Sequence, residues 1–191
     1  MKVLAISGSV RSGSYNSKLL RAAGELLPSD VELEIWDGLK AVPPYDGDDD
    51  TEFAPAAVTR LRDAIAGADA LLFATPEYNH SIPGQLKNAV DWASRPIATS
   101  VLRNKPVAVI GASTGAFGAV WSQAELRKVL AATGARVADV EVAVGHAHER
   151  FDGEGRLTDD ELRDQLREAV DLLLAEAQPR MSAAATSSLD P

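Results

Sequence analysis

The sequence predicts an α/β fold in which five parallel strands form one open sheet with helices on both faces. Five apolar segments alternate with five amphipathic segments along the 191 residues, a pattern typical of strands that are joined by crossover helices. Two of the apolar segments, residues 69–75 and 106–111, are almost continuously apolar, which is typical of strands buried on both faces of a sheet. We therefore expect a parallel sheet with right-handed crossovers.

The hydrophobic pattern also predicts the bounds of each element. The predicted strands are residues 2–7, 31–36, 69–75, 106–111 and 136–144. The predicted helices are residues 16–27, 55–66, 83–93, 121–133 and 160–177. In the third helix, the apolar residues recur at the spacing of one buried helix face. We expect one domain over residues 1–177, followed by a disordered tail over residues 178–191, which are rich in alanine and serine.

Composition and charge argue against several classes of protein. The 28 acidic residues outnumber the 19 basic ones, and the net charge of −9 disfavours nucleic acids and anionic membranes as partners. The sequence contains no cysteine, which excludes disulfides, thiolate metal sites and a cysteine nucleophile. The apolar start is too short for a signal peptide, and no apolar run approaches the ~18 residues of a membrane span. We therefore expect a cytoplasmic protein without a nucleic-acid or membrane partner.

The predicted sheet indicates where a ligand would bind. In a five-stranded parallel sheet with the strand order 2-1-3-4-5, the order reverses between strands 1 and 3. Ligands of such sheets bind at that point, at the carboxyl ends of the strands. The loops after strands 1, 3 and 4 are therefore the places to look for a site.

The loop after strand 1 has the composition of a phosphate site. It reads GSVRSGSYNS over residues 8–17 and continues into a predicted helix. Serine hydroxyls and the free N–H groups of a helix N-terminus bind anions, and Arg11 adds a bidentate cation. The spacing matches neither the P-loop nor the dinucleotide-binding glycine motif. A terminal monophosphate fits this loop better than ATP, GTP or a Rossmann-bound dinucleotide.

The loop after strand 3 is stiffened by two prolines. It runs from Pro76 to Gly84 and contains Asn79 and several exposed backbone amides. Such a loop is suited to hydrogen bonding with the edge of a heteroaromatic ring. A well-formed connection between a strand and a helix would have the same composition, so the residues alone leave both interpretations open.

The loop after strand 4 allows two functions. Residues 111–115 read GASTG, which fits the G-x-S-x-G elbow that presents a nucleophilic serine in α/β-hydrolases. An acid and a histidine follow in the required order, as Asp139 and then His146 or His148. The chain is short for a hydrolase, however, and that function leaves the phosphate loop unexplained. We favour a small-residue binding loop over a role for Ser113 as nucleophile.

Three motifs together resemble a known family. The segments GSVRSGSYNSKLL, PEYNHSIPGQLKNAVDWASR and GASTGAFG resemble the NAD(P)H-dependent FMN reductases, a group of flavodoxin-like proteins that includes quinone, azo-dye and chromate reductases. The resemblance covers residues 1–175 and implies a three-layer flavodoxin-like fold. It implies a pocket for the FMN phosphate at Ser9, Arg11, Ser14, Tyr15, Asn16 and Ser17. It implies flavin-binding walls at Pro76, Glu77, Tyr78, Asn79, Ser113, Thr114 and Gly115, with Gly111 and Gly115 allowing close approach of the backbone.

The resemblance also implies the reaction and its partners. Hydride would pass from NADPH or NADH to bound FMN, and then to a quinone, flavin, azo or metal-oxyanion acceptor. No side chain is expected to act as a catalytic acid or base, because the cofactor supplies the chemistry. A homodimer or homotetramer is expected. A flavodoxin-like electron carrier is the alternative, and Arg11 argues against it because flavodoxins bind the phosphate with a threonine-rich loop.

Four further residues are of interest. His80 lies in the predicted flavin loop. We interpret it as a polar loop residue rather than as a proton donor. His146 and His148 lack a third ligand, so we expect no metal site. Trp92 and Trp121 are expected either at the edge of the core or in a subunit interface.

Overall fold

A parallel sheet lies between two layers of helices in the computed structural model, which describes the backbone of residues 1–187 and the side chains of residues 1–178. The strands are β1 Lys2–Ser7, β2 Glu32–Trp36, β3 Ala70–Thr75, β4 Pro106–Ala112, β5 Arg136–Val137 and β6 Ala143–Val144. The α-helices are α1 Tyr15–Gly24, α2 Ala56–Gly67, α3 Gly84–Ala93, α4 Val120–Ala132, α5 Ala147–Arg150 and α6 Asp160–Ser187. Short 3-10 helices span Gly38–Ala41, Gly47–Asp49 and Ile97–Thr99.

The strand order confirms the predicted fold. The strands lie in the order β2-β1-β3-β4-β5, and β6 also pairs with β4. Every pairing is parallel, and Val3 of β1 has Leu33 of β2 on one side and Ala70 of β3 on the other. The order therefore reverses between β1 and β3, which is where the strand order predicted a ligand site.

Two hydrophobic cores cover the two faces of the sheet. Successive residues of a strand point to opposite faces, so Val3 and Ala5 join one core while Leu4 and Ile6 join the other. The first core includes apolar residues of α1 and α6, and the second includes apolar residues of α2, α3 and α4. All residues of β3 and β4 are buried, as their continuous apolar character predicted.

The predicted strand at 136–144 is wrong as a single element. Its two ends pair with β4 as β5 and β6, but the segment between them leaves the ladder. From the pair Val107 and Val137 to the pair Gly111 and Ala143, β4 advances four residues and its neighbour six. Within the bulge that these two extra residues form, the Val140 carbonyl accepts a hydrogen bond from Arg127 of α4 at 3.2 Å.

The ends of two helices also differ from the sequence prediction. α1 ends at Gly24, and a turn continues to Leu27, whose N–H donates to the Gly24 carbonyl. α6 continues to Ser187, so that residues 178–187 of the expected disordered tail are helical here, and residues 188–191 lie outside the described part of the chain. Of the helices in the described chain, none is both long and apolar enough to cross a membrane.

A buried amide joins the first helix to the end of the fourth strand. The Asn16 side chain donates to the Ala112 carbonyl at 2.9 Å and accepts from the Ala112 N–H at 2.9 Å. Asn16 is 3% exposed, so water cannot replace either bond. These two hydrogen bonds hold the start of α1 against the end of β4, across the top of β3.

We expect Asn16→Ala to lower the free energy of unfolding by about 2–3 kcal/mol, because it leaves the buried N–H and C=O of Ala112 without partners. Urea denaturation of the apoprotein measures this. Arg21→Ala, on the exposed surface of the same helix, is the matched control and should change stability by less than about 0.5 kcal/mol. Equal losses in the two variants would contradict a stabilising role for the amide pair.

Candidate functional site

An open cleft lies at the carboxyl ends of β1, β3 and β4. Its walls come from all three predicted loops: Ser9, Arg11, Ser14, Tyr15, Asn16, Pro76, Glu77, Tyr78, Ala112, Ser113 and Thr114. Ala112 is the one lining residue that the sequence did not indicate, although it lies within GASTG. Three predicted residues, Ser17, Asn79 and Gly115, do not line the cleft.

The N-terminus of α1 supplies hydrogen-bond donors to the cleft. The first four N–H groups of a helix have no partner within it. Ser14 takes two of them, since its hydroxyl accepts from the Ser17 N–H and its carbonyl from the Lys18 N–H. The N–H groups of Tyr15 and Asn16 have no partner among the described residues. The positive end of the helix dipole is therefore free to bind an anion.

Arg11 adds a full positive charge beside this helix end. Its guanidinium carbon lies 5.7 Å from the centre of the Tyr15 ring, and Lys18 Nζ lies 5.1 Å from the same ring. Among the described side chains, no carboxylate lies within ion-pair distance of Arg11. Two serine hydroxyls, free backbone N–H groups and an unpaired guanidinium form a donor set that fits a phosphate monoester.

Ser17 supports the phosphate loop from below. Its hydroxyl donates to Ser7 Oγ at 3.1 Å, and the Ser9 N–H donates to the same oxygen at 3.3 Å. A Cβ at Gly8 would lie 2.7 Å from Leu86 Cδ2 and 3.1 Å from Pro76 Cδ, so a larger residue here would require Leu86 to shift. Ser17 was expected in the phosphate pocket; its hydroxyl instead holds the loop in place.

The loop after β3 turns sharply at Asn79. Tyr78 and Ser81 exchange two backbone hydrogen bonds, of 3.2 and 3.1 Å, around Asn79 and His80. Both central residues have positive φ, 54° and 59°, as in the type I′ turn of a tight hairpin. Asn79 is favoured at such positions, and this turn places it outside the cleft, while Tyr78 lines it.

Two carboxylates join this loop to α4. Glu77 accepts hydrogen bonds from the N–H groups of Trp121 and Ser122, each at 3.1 Å. Glu125 reaches back from α4 and accepts from Ser81 Oγ at 2.6 Å. The negative charge of Glu77 at the helix N-terminus is favourable. Glu125 gave no signal in the sequence, because its partner is 44 residues away.

The GASTG loop does not form a nucleophile elbow. Such an elbow passes directly from strand to helix at the serine, whereas α4 begins only at Val120. Ser113 Oγ accepts from the Gly115 N–H at 3.1 Å, and no described histidine bonds to it. The Ser113 backbone is held at the end of the sheet, donating to the Val144 carbonyl at 3.0 Å. A serine hydrolase is therefore not supported.

The two glycines of GASTG lie in different environments. A side chain at Gly111 would lie 2.8 Å from Gln123 Nε2 and 3.0 Å from the Thr75 carbonyl oxygen. Close packing of β4 against Gln123 and the neighbouring strand therefore accounts for Gly111. A side chain at Gly115 would meet only Ser113 Oγ, at 3.5 Å.

The two tryptophans and the two histidines singled out in the sequence lie in different environments. Trp92 is fully buried and donates from Nε1 to the Pro43 carbonyl at 2.9 Å, so it belongs to the core and lies neither at its edge nor in an exposed interface. Trp121 is 42% exposed at the start of α4. His146 and His148 lie 6.3 Å apart, and the described residues contain no group of three His, Cys, Asp or Glu placed to hold a metal.

Comparison with known proteins identifies the family of this chain. The model of the NADPH-dependent FMN reductase family matches residues 1–149. An NAD(P)H-dependent FMN reductase of Pseudomonas aeruginosa is 45% identical over 174 residues, which cover 91% of this chain and 93% of that protein. A 2-hydroxy-1,4-benzoquinone reductase of a Burkholderia species is 38% identical over 181 residues, covering 94% and 98% of the two chains.

A solved structure extends the similarity to the fold. FerB of Paracoccus denitrificans, a flavoenzyme NAD(P)H:(acceptor) oxidoreductase, is 35% identical with a TM-score of 0.84. The alignment covers 93% of this chain and 97% of FerB. Together with the family match, this shows that the chain belongs to the NADPH-dependent FMN reductase family, and is thus an oxidoreductase that works with FMN and a nicotinamide coenzyme, as the resemblance predicted.

Proposed function

We propose that this protein binds FMN in the cleft and transfers electrons from NADPH or NADH to a quinone. The observation that carries the proposal is the phosphate cradle, in which the unpaired Arg11 and the free N–H groups of α1 face the point where the strand order reverses. Quinone as the acceptor is supported by the relatives named quinone reductase, among them one of Pseudomonas putida that is 40% identical over 158 residues.

The residues of the cleft have distinct roles in this proposal. Ser9, Arg11, Ser14 and the N–H groups of Tyr15 and Asn16 hold the phosphate. The walls formed by residues 76–78 and 112–114 hold the ring. Bound FMN supplies the hydride chemistry. The chain positions the ring and shields one side of it from water, and we assign no side chain as a catalytic acid or base.

The predicted residues outside the cleft have other roles. The Ser17 hydroxyl supports the phosphate loop, and the Asn16 amide is occupied by Ala112. Asn79 forms the turn that directs Tyr78 toward the ring. Flavin, azo and metal-oxyanion acceptors, a homodimer or homotetramer, and a cytoplasmic location stay predictions.

The first test is the visible absorption spectrum after addition of FMN and removal of unbound flavin. We expect a retained flavin spectrum that bleaches under anaerobic conditions on addition of NADPH or NADH and returns on addition of a quinone. Flavin that is retained but not bleached by either coenzyme would favour an electron carrier. Loss of all flavin would contradict the site.

A second test removes the phosphate contact. We expect Arg11→Ala to weaken FMN binding by about 10- to 100-fold, the effect of losing a charge-assisted hydrogen bond. Riboflavin, which lacks the phosphate, should bind both proteins equally. Flavin fluorescence titration measures both affinities.

Two further variants sharpen this test. Arg11→Lys keeps the charge but loses the bidentate geometry, so its FMN affinity should lie between those of the wild type and Arg11→Ala. Arg21→Ala removes an arginine from the exposed face of the same helix and should leave FMN binding unchanged. Equal weakening of FMN and riboflavin by Arg11→Ala would show that Arg11 does not contact the phosphate.

A further inference from the structure

Three exposed aromatic side chains form a continuous group at the mouth of the cleft. The His80 ring lies 4.6 Å from the Trp121 ring at 90°, and the Phe117 ring lies 5.0 Å from Trp121 at 66°. Phe117 is 64% exposed and Trp121 42%. We call His80, Phe117 and Trp121 the aromatic rim. Contiguous exposed apolar surface of this kind marks a binding site more often than scattered single residues do.

The rim adjoins the walls that would hold the flavin ring. His80 follows Tyr78 by two residues, and Phe117 follows Thr114 by three; Tyr78 and Thr114 both line the cleft. Trp121 is joined directly to a cleft residue, because its backbone N–H donates to the Glu77 carboxylate at 3.1 Å. The rim therefore connects the loop after β3 to the loop after β4, beside the open side of the cleft.

The backbone beneath the rim is held firmly, although the rings themselves are exposed. Glu77 fixes the first turn of α4, and Glu125 fixes the hairpin turn through Ser81 Oγ. The hydroxyls of Ser122 and Thr75 form a buried hydrogen bond of 2.9 Å that ties the same helix to the end of β3. The backbone that carries the rings is therefore already ordered before a ligand binds, which lowers the entropic cost of binding.

The charges around the rim select for a neutral ligand. Glu77 and Glu125 lie beneath it, and among the described residues the only ion-pair partner of either is His80, 3.5 Å from Glu77. A negatively charged group placed directly on the rim would meet these carboxylates unfavourably. An uncharged planar ring avoids that repulsion and gains stacking against the rim.

We propose that the aromatic rim binds the ring of the quinone acceptor and that Trp121 sets the preference for quinones with more than one ring. This inference rests on the function proposed above. In the overall reaction the quinone gains two electrons and two protons to become the hydroquinone. NAD(P)H is oxidised to NAD(P)⁺ and supplies the hydride, and the second proton comes from solvent.

Steady-state kinetics of the FMN-loaded enzyme tests the rim. We expect Trp121→Ala to lower kcat/KM for a two-ring naphthoquinone by about three- to tenfold, the value of one aromatic stacking contact, mainly through KM. The value for one-ring benzoquinone should fall less. Ferricyanide, an inorganic acceptor that needs no stacking, should be reduced at the wild-type rate.

Matched variants separate stacking from general damage. Trp121→Phe retains an aromatic ring and should recover most of the naphthoquinone activity. Phe53→Ala removes an 85% exposed ring. Phe53 is close in sequence to Asp50, which binds Arg62 beside the C-terminal end of α3. This variant should leave kcat/KM for all three acceptors unchanged. If Trp121→Ala does not fold, Phe117→Ala, in the preceding loop, replaces it with the same expected selectivity.

Three results would overturn the inference. The first is an unchanged kcat/KM for naphthoquinone in Trp121→Ala. The second is an equal loss of activity with naphthoquinone and with ferricyanide. The third is a change in sedimentation showing that Trp121→Ala dissociates an oligomer, because the rim would then be a contact with a second copy of the chain. These results differ from a failure of the proposed function, in which the wild-type protein itself does not retain FMN or reduce any quinone.

Discussion

The site depends on the pair of hydrogen bonds between the Asn16 amide and the backbone of Ala112. β1 and β4 are not neighbours, since both pair with β3, which lies between them, and the Asn16 amide adds a direct link between the two sides. The amide is buried, where hydrogen bonds are strong and an unpaired group is costly. It therefore reinforces the position of the start of α1 relative to the GASTG loop, and residues from both segments line the cleft.

The same physical property of helices is used in two opposite ways around this cleft. The N-terminus of α1 leaves the N–H groups of Tyr15 and Asn16 free, so that its positive end faces the cleft. The N-terminus of α4 lies nearby, but the Glu77 carboxylate occupies its N–H groups. Anion binding is thereby confined to one helix end. At the other, the Glu77 carboxylate holds the first turn of α4, which supports the aromatic rim.

The local hydrophobic pattern of the sequence predicted the central strands of the sheet well. It failed where the structure of a segment depends on contacts that are distant in sequence. β3 and β4 could be predicted without knowledge of their tertiary contacts, because nearly every residue in them is apolar, as expected for strands buried on both faces. Residues 136–144 also have the pattern of a strand, but the middle leaves the ladder, and the Val140 carbonyl accepts a hydrogen bond from Arg127 of α4. The motifs likewise identified the three loops. They did not indicate side-chain direction, since Asn79 is turned away by its positive φ and the Ser17 hydroxyl is taken by Ser7.

The GASTG segment shows that the structure of a short motif depends on the residues that follow it. In a nucleophile elbow, the glycines allow a strand to turn at once into a helix. Here Gly111 is required by something else, the close approach of Gln123 and the Thr75 carbonyl, and the chain continues as a loop to Val120 before α4 begins. That loop is long enough to place Ser113 and Thr114 along the cleft wall and Phe117 at its mouth. The same five letters therefore form part of a cleft wall here, because the distance from the serine to the next helix decides which structure they form.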